Sequence, residues 1–339
     1  MTPADSAPSA DDSPVELVAV VNSFNRLPLL REALESLANA LRSLEVPAAV
    51  VVYEVGSTDG SHEFLEDWRR EHPGDRLEII KPAPGAGTSF SDGVNAGCMA
   101  ALQRFPATRY LLLYETDNWL AGPEPLRQAR ALLEARPELA TAGWTLRKHA
   151  GSVSGVGYGM RFPTLLAFAV GQQLTLRLNL DRPNDTLWQE TQGVRWRVCD
   201  VLFTSPLLIR RTVWEKSGGL DAQAFPFGEC DLDWAWRVRK LGLGTQAVIQ
   251  SDAVVHDNRA QASGWSDNRV TDFHRARLRL LRRHRGGWVG IVKPLLFARH
   301  AAESVLLLVA GRHRPNAKSK LLRRLGMLRD VWRDYPAAG

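Results

Sequence analysis

Apolar residues along the chain form short unbroken runs, separated by longer stretches in which they recur every three or four positions. The runs at 15–21, 48–55, 77–80 and 110–114 read as strands buried on both faces, because a half-solvated strand would alternate. Between the first two, Leu30, Leu34, Leu37, Leu41 and Leu44 give one face of a helix that opens at Leu27, with Pro28 in its first turn. Phe64, Leu65 and Trp68 mark a short helix. Further helices are predicted over 90–105 and 123–135, and a strand over 139–146. Strand and helix alternate throughout, which predicts an α/β fold: a mostly parallel, Rossmann-like sheet flanked by helices.

The pattern blurs from 147 to 195. Residues 151–159 are glycine-rich, 165–180 are apolar enough for a helix, and 181–185 form a turn cluster. This stretch reads as an insertion covering one end of the sheet. Strands follow at 196–204 and 206–209, then a short helix over 210–216 that stops at Gly218-Gly219. Residues 225–239, FPFGECDLDWAWRVR, carry an acidic cluster into a Trp-rich helix, and the last strands fall within 244–256. Three helical stretches close the chain, at 271–285, 288–310 and 317–333. The middle one is apolar but interrupted by Lys293, Pro294, Arg299, His300 and Glu303, which suits a helix lying on a surface and not one spanning a bilayer.

Charge sharpens this division. Residues 259–339 hold 18 Lys plus Arg against 5 Asp plus Glu, a net +13 that leaves −7 on residues 1–258 of a chain whose net charge is +6. A basic tail on an acidic body implies contact with something anionic, or a well-solvated helical end. Liposome-binding leucines and packed leucines are both available there: Leu280, Leu281, Leu295, Leu296 and 306–308 either dock on anionic lipid or pack on the body or a second subunit, which would make a homo-oligomer. The three cysteines stand far apart with no CxxC pair, so neither a zinc site nor a disulfide framework is indicated and a reducing, cytoplasmic setting fits. Residues 1–14 lack the basic and apolar segments of a signal peptide and read as a disordered leader.

The candidate chemistry sits where the fourth strand ends. LLLYETDNWL places Glu115 and Asp117 one residue apart just past a buried strand. In open α/β sheets, ligands bind outside the carboxyl ends of the strands. Two carboxylates there repel each other unless a cation neutralises them, and a divalent ion that also holds a phosphate would do so. Alone, the pair reads more readily as a solvated strand end with an Asp-Asn turn. A second acidic turn, GSTDGS at 56–61, a later acidic cluster and His256 at the end of a late strand accompany it.

In that order these fragments resemble family 2 glycosyltransferases of the GT-A fold, over about 15–256. VAVVNSFNR looks like the family's first strand and turn, and VVYEVGSTDGS like its second-strand signature. NAG at 95–97 resembles its Asn-x-Gly, YETD its D-x-D, and GGLD followed by CDLDWAWR its G-G-F-D and E-D-x-D-x-x-x-R. The resemblance implies a GT-A domain over 15–258, with a nucleotide-binding half (15–146) and an acceptor-side half (147–258), followed by a basic helical extension (259–339). It implies an inverting, metal-dependent transfer from a nucleotide-diphosphate sugar, UDP- or dTDP-linked, to an acceptor hydroxyl on a glycan, a lipid-linked molecule or a small molecule, as in polysaccharide biosynthesis. Asp117 would hold Mn²⁺ or Mg²⁺ with His256, Glu115 would assist, and Asp231 would be the general base. Asn22, Phe24 and Asn25 match the turn that meets the nucleobase, Glu54 the base-and-ribose position, and Asn95 the Asn-x-Gly. The chain departs from the pattern at Glu54, Val55, Glu115 and Cys230, which leaves the nucleotide unnamed and makes Glu229 and Asp233 alternative bases. Two other readings stand beside this one: a homologue that binds sugar nucleotide or glycan without transfer, and an NAD-dependent Rossmann oxidoreductase, which lacks its G-x-G-x-x-G after strand one. No nucleic-acid partner is expected.

Overall fold

The structure is a computed structural model that describes residues 14–83, 85–149, 151–152, 158–183, 187–257, 267–309 and 316–333. The expected leader, apart from Pro14, most of the glycine-rich 151–159 and the 258/259 boundary lie outside the described residues.

The first half alternates as expected. β1 (Leu17–Ser23) leads into α1 (Leu27–Arg42), β2 (Ala48–Glu54), α2 (Ser61–Glu71), β3 (Leu77–Ile80) and α3 (Phe90–Arg104). β4 (Tyr110–Glu115) is followed at once by a short β5 (Asn118–Leu120), then α4 (Glu124–Ala135) and β6 (Leu139–Trp144). The second half has α5 (Leu165–Leu178), β7 (Gln189–Thr191), β8 (Val194–Cys199), β9 (Leu207–Arg210), α6 (Arg211–Ser217), α7 (Cys230–Lys240), β10 (Thr245–Ile249) and β11 (Val254–His256). α8 (Asp267–His284), α9 (Val289–Val309) and α10 (Ala317–Val331) complete it.

Nine strands form one sheet in the order β3-β2-β1-β4-β9-β6-β10-β8-β7. β1, β2, β3 and β4 pair parallel, as do β6 and β10, whereas β9 and β8 run antiparallel to their neighbours. The unbroken apolar runs follow from burial on both sides. Along β1, Val18 and Val20 join one core with Val94, Cys98 and Ala101 of α3, while Leu17, Ala19 and Val21 join another with the Leu30–Leu34–Leu37–Leu41 face of α1. Gly97 makes the first packing possible, since a Cβ there would lie 2.5 Å from Val20 Cγ1.

α5 is broken at Gly171, whose φ of 70° only glycine adopts without strain. The C-terminal helices pack on the body: Ala276, Leu280 and Leu281 of α8 and Val292 of α9 belong to the same core as α3 and α7. Leu296 is buried with Leu278 and Val331, whereas Leu295, Leu306 and Leu308 are exposed. Among the described residues, no helix is long and apolar enough to cross a membrane.

Candidate active site

The end of β4 and the two-stranded β5–β11 sheet build one side of the site. Antiparallel pairing sets His256 opposite Asn118, one residue past Asp117, and the Asp257 amide donates to the Asp117 carbonyl (2.9 Å). Backbone pairing thus brings together two residues 139 positions apart in sequence. His256 Nδ1 lies 2.9 Å from Asn118 Oδ1 and 3.3 Å from Asp117 Oδ1. The Glu115 amide donates to Ser205 Oγ (3.1 Å), and the Asn118 amide group is also bonded to Ser205 Oγ, which ties this strand end to the stretch before β9. Arg26, at the start of α1, brings Nη1 to 3.7 Å from Asp117 Oδ2. Burial and the neighbouring Asp117 push the Glu115 carboxyl up to about 8, against the pull of Arg26.

The start of α7 builds another side. Glu229 adopts a left-handed conformation (φ 62°) just before the helix, and Asp231 follows in its first turn, where the helix dipole favours acids. The Leu232 amide donates to Asp231 Oδ1 (2.9 Å). Burial, then the Glu229 charge, push the Asp231 carboxyl up to about 7. The three acids of this cluster differ sharply. Glu229 is buried and takes both oxygens to Arg277 Nη1 of α8 (3.1 and 3.2 Å). Asp233 is wholly buried; burial works to raise its carboxyl, but bonds from His284 and Arg283 and the charge of Arg237 hold it below the usual range. It accepts from Arg237 Nε (2.9 Å), Arg283 Nη1 (2.9 Å) and His284 Nε2 (2.8 Å), so it is the centre of an ion-pair cluster.

Glu115, Asp117, Asp231 and His256 line a single cavity of about 670 Å³. Its remaining wall comes from α5 (Gln172, Thr175, Leu176), from Phe203 to Ser205, and from α8 (Arg269, Asp272, Phe273, Arg277). Glu229 also lines it, while Asp233 does not. Asn22, Phe24, Asn25, Glu54 and Asn95 stand outside this cavity. Both Glu54 oxygens accept from the Gly56 and Ser57 amides (3.0 and 2.7 Å), closing the turn after β2. Asn25 Oδ1 takes the Thr58 amide (2.7 Å), bracing that turn against the start of α1. Asn95 exchanges two bonds with the Leu220 backbone (2.7 and 2.9 Å), tying α3 to the GGLD loop. Phe24 is exposed, and Asn22 Oδ1 is buried without a hydrogen-bond partner.

The residues fit a divalent cation at one end. Asp117 Oδ1 is buried and lacks a hydrogen-bond partner, an arrangement proteins seldom leave uncompensated. One carboxylate and one imidazole form a donor set that Mn²⁺ or Mg²⁺ accepts when substrate phosphate and water supply further oxygens. Among the described residues, no group of three or more His, Cys, Asp or Glu could hold a metal by itself.

Sequence reasoning did not place α8 in the cavity wall. The signal was present as Arg277 and Arg283, cations in a chain whose body is acidic, but it read as a tail that meets an external anion, is well solvated or packs on the body through its leucines.

A sequence model of the family described as "Glycosyltransferase like family 2" matches residues 14–290. No curated protein matches the chain. Among solved structures, the chain is similar in fold to the mannosyltransferase PcManGT from Pyrobaculum calidifontis in complex with GDP-Man and Mn²⁺, with TM-score 0.51 and 16% identity, covering 97% of this chain and 89% of that one. It is similar also to S. aureus TarS 1-349 (TM-score 0.51, 13% identity, 94% of this chain and 81% of that one). A third is GalNAc-T7 with UDP, GalNAc and Mn²⁺ (TM-score 0.54, 11% identity), where the match covers 80% of this chain but only 48% of that one. At these identities the likeness is one of fold, and the fold is that of GT-A glycosyltransferases.

Proposed function

The chain belongs to the glycosyltransferase like family 2, and from that premise we propose that it moves a sugar from a nucleotide-diphosphate donor to an acceptor hydroxyl with inversion at the anomeric carbon. The observation that carries this reading is the shared cavity: Asp117 with His256, and Asp231 on a different element, open onto the same space. Asp231 takes the acceptor proton as the acceptor oxygen bonds to the anomeric carbon and the bond to the diphosphate breaks. A carboxyl poised at about 7 suits a general base at neutral pH. Asp117 and His256 would hold Mn²⁺ or Mg²⁺, which supplies charge neutralisation on the leaving diphosphate. Arg26, beside Asp117, adds a fixed positive charge for the same oxygens.

Glu229 is committed to Arg277, and Asp233 to Arg237, Arg283 and His284, which supports Asp231 as the base. At the turn after β1, the exposed Phe24 ring can stack on a nucleobase, and the unpartnered Asn22 Oδ1 can accept from it. Glu115 assists at the ribose or metal, and Glu54, Asn25 and Asn95 brace the loops around the donor. The donor is taken as a UDP- or dTDP-sugar; GDP joins the comparison because the archaeal structure carries GDP-Man. A cytoplasmic setting fits three buried cysteines that are all free thiols.

A thermal-shift panel of UDP, dTDP, GDP and NAD, each with and without Mn²⁺, tests the donor class. Metal-dependent stabilisation by a nucleoside diphosphate is expected. Stabilisation by NAD alone would overturn the proposal, and binding of a sugar nucleotide with neither transfer nor hydrolysis would leave only a binding protein.

A further inference from the structure

We propose that α9 and α10 form a docking surface for an anionic lipid bilayer, independent of the reaction assigned to the cavity. The carrying observation is that the second half of α9, beyond the buried Val292 and Leu296, has its polarity turned inside out. Its inward side holds Arg299, His300, Glu303 and Ser304: Arg299 bonds the Val170 carbonyl at the α5 break and Glu303 Oε1 (3.1 Å), and Arg324 of α10 meets Glu303 Oε2 at 2.9 Å. His300 is 1% exposed. The outward side of α9 is apolar along its whole length. Ile291, Leu295, Ala298, Ala302, Leu306 and Val309 recur at helical spacing and are all exposed, Val309 to 72%. A helix that solvates its hydrocarbon and buries its charges is the reverse of what water selects. The stripe is about 27 Å long at the α-helical rise.

α10 supplies the charge. Lys318, Leu322, Leu325, Arg329 and Trp332 share one exposed face, an alternation of cations, leucines and a Trp that suits a headgroup layer. Phe297 of α9 packs against Trp332, with ring centroids 5.8 Å apart, so the two stripes adjoin. Neither helix exposes a competing carboxylate: Asp330 is 0% exposed against Arg275 (2.7 Å), and Glu303 is turned to Arg299 and Arg324. That charge pattern favours an anionic surface over a second copy of the chain, because a two-fold interface would set Lys318 and Arg329 against the same cations. The bilayer is met in its plane, with the stripe in the acyl boundary and Lys318 and Arg329 at the headgroups.

Co-sedimentation of the full chain with phosphatidylcholine vesicles, with and without phosphatidylglycerol, tests this at low and high salt. Binding is expected only with phosphatidylglycerol and should weaken as salt rises. Leu295→Asp with Leu306→Asp should lower partitioning tenfold or more, and Lys318→Ala and Arg329→Ala about fivefold each, with the melting temperature unchanged. No binding to anionic vesicles, equal binding to neutral ones, or full retention by the folded Asp variant would overturn it. So would a solution dimer that the Asp variant dissociates. Should that variant fail to fold, the lipid and salt dependence of the unaltered chain decides alone.

Discussion

Asp231→Asn should abolish transfer and make the protein more stable, and the second effect can be worked from the structure. The substitution keeps the shape of the side chain and an oxygen for the Leu232 amide. What it removes is a carboxyl raised from 3.8 to about 7 by burial and by Glu229. Because the folded value lies above the unfolded one, the native state binds the extra proton between these pH values. Stability therefore falls as pH rises through that window and is flat above it. A shift of about 3 units corresponds to a ceiling of about 4 kcal/mol, and water entering the open cavity reduces this to about 2. The asparagine variant does not titrate, so the difference between the two proteins should be near zero at pH 4 and reach its full size above pH 7. Thermal melts at matched pH values measure it, with an expected gain of a few degrees, about 3 °C at pH 8 for a chain of this length. Loss of the base should lower kcat by about 10²- to 10⁴-fold. An Asn variant no more stable at pH 8 than the parent, or a difference that does not change with pH, would refute the reasoning.

Asp117→Asn should abolish transfer and weaken nucleoside-diphosphate binding in the presence of Mn²⁺ but not in its absence, as titration calorimetry would record. The pH profile of kcat/KM should rise through about pH 7 as Asp231 loses its proton; a rate already flat at pH 5 would remove Asp231 from the base role. Arg283→Met should destabilise the fold by about 3 kcal/mol in urea unfolding, since it strips cations from the buried Asp233 and from Asp221, whereas a loss below about 1 kcal/mol would mean the cluster reorganises.

The fold was legible because its strands carry a local signal. β1, β2 and β4 are apolar at consecutive positions, which follows directly from two buried faces, and β3 was predicted at its observed bounds, residues 77–80. The short β5 and β11 were less legible. Three residues each are too few for a period, and their pairing is set by partners far away in sequence. That pairing is also what brings His256 to Asp117, so the most informative contact in the site depends on the least visible strands. For the donor side, motif matching named residues without distinguishing ligand contact from loop bracing. Asn95 illustrates the difference: its side chain is spent on the Leu220 backbone, and Gly97, two residues on, is needed for helix-to-strand contact. An Asn-x-Gly can thus be demanded by packing as strictly as by chemistry.

The charge asymmetry carries two meanings that sequence alone could not separate. Part of the +13 on residues 259–339 is internal: Arg277 meets Glu229, Arg283 meets Asp221 and Asp233, and Arg275 meets Asp330. These pairs explain how an acidic cluster can sit beside the cavity at all. Glu229 and Asp233 would be poorly tolerated there as bare charges; α8 supplies Arg277 to Glu229 and Arg283 to Asp233, burial still raises the Glu229 carboxyl, and Asp231 is raised to about 7. The extension therefore does more than append a basic surface, because its first helix pairs two acids of the cluster, Glu229 and Asp233, with arginines. The exposed cations of α10 are of the other kind, unlike Arg324, which meets Glu303. Lys318 and Arg329 stand on exposed positions of one face, and it is their charge, not the total, that an external anionic surface would read.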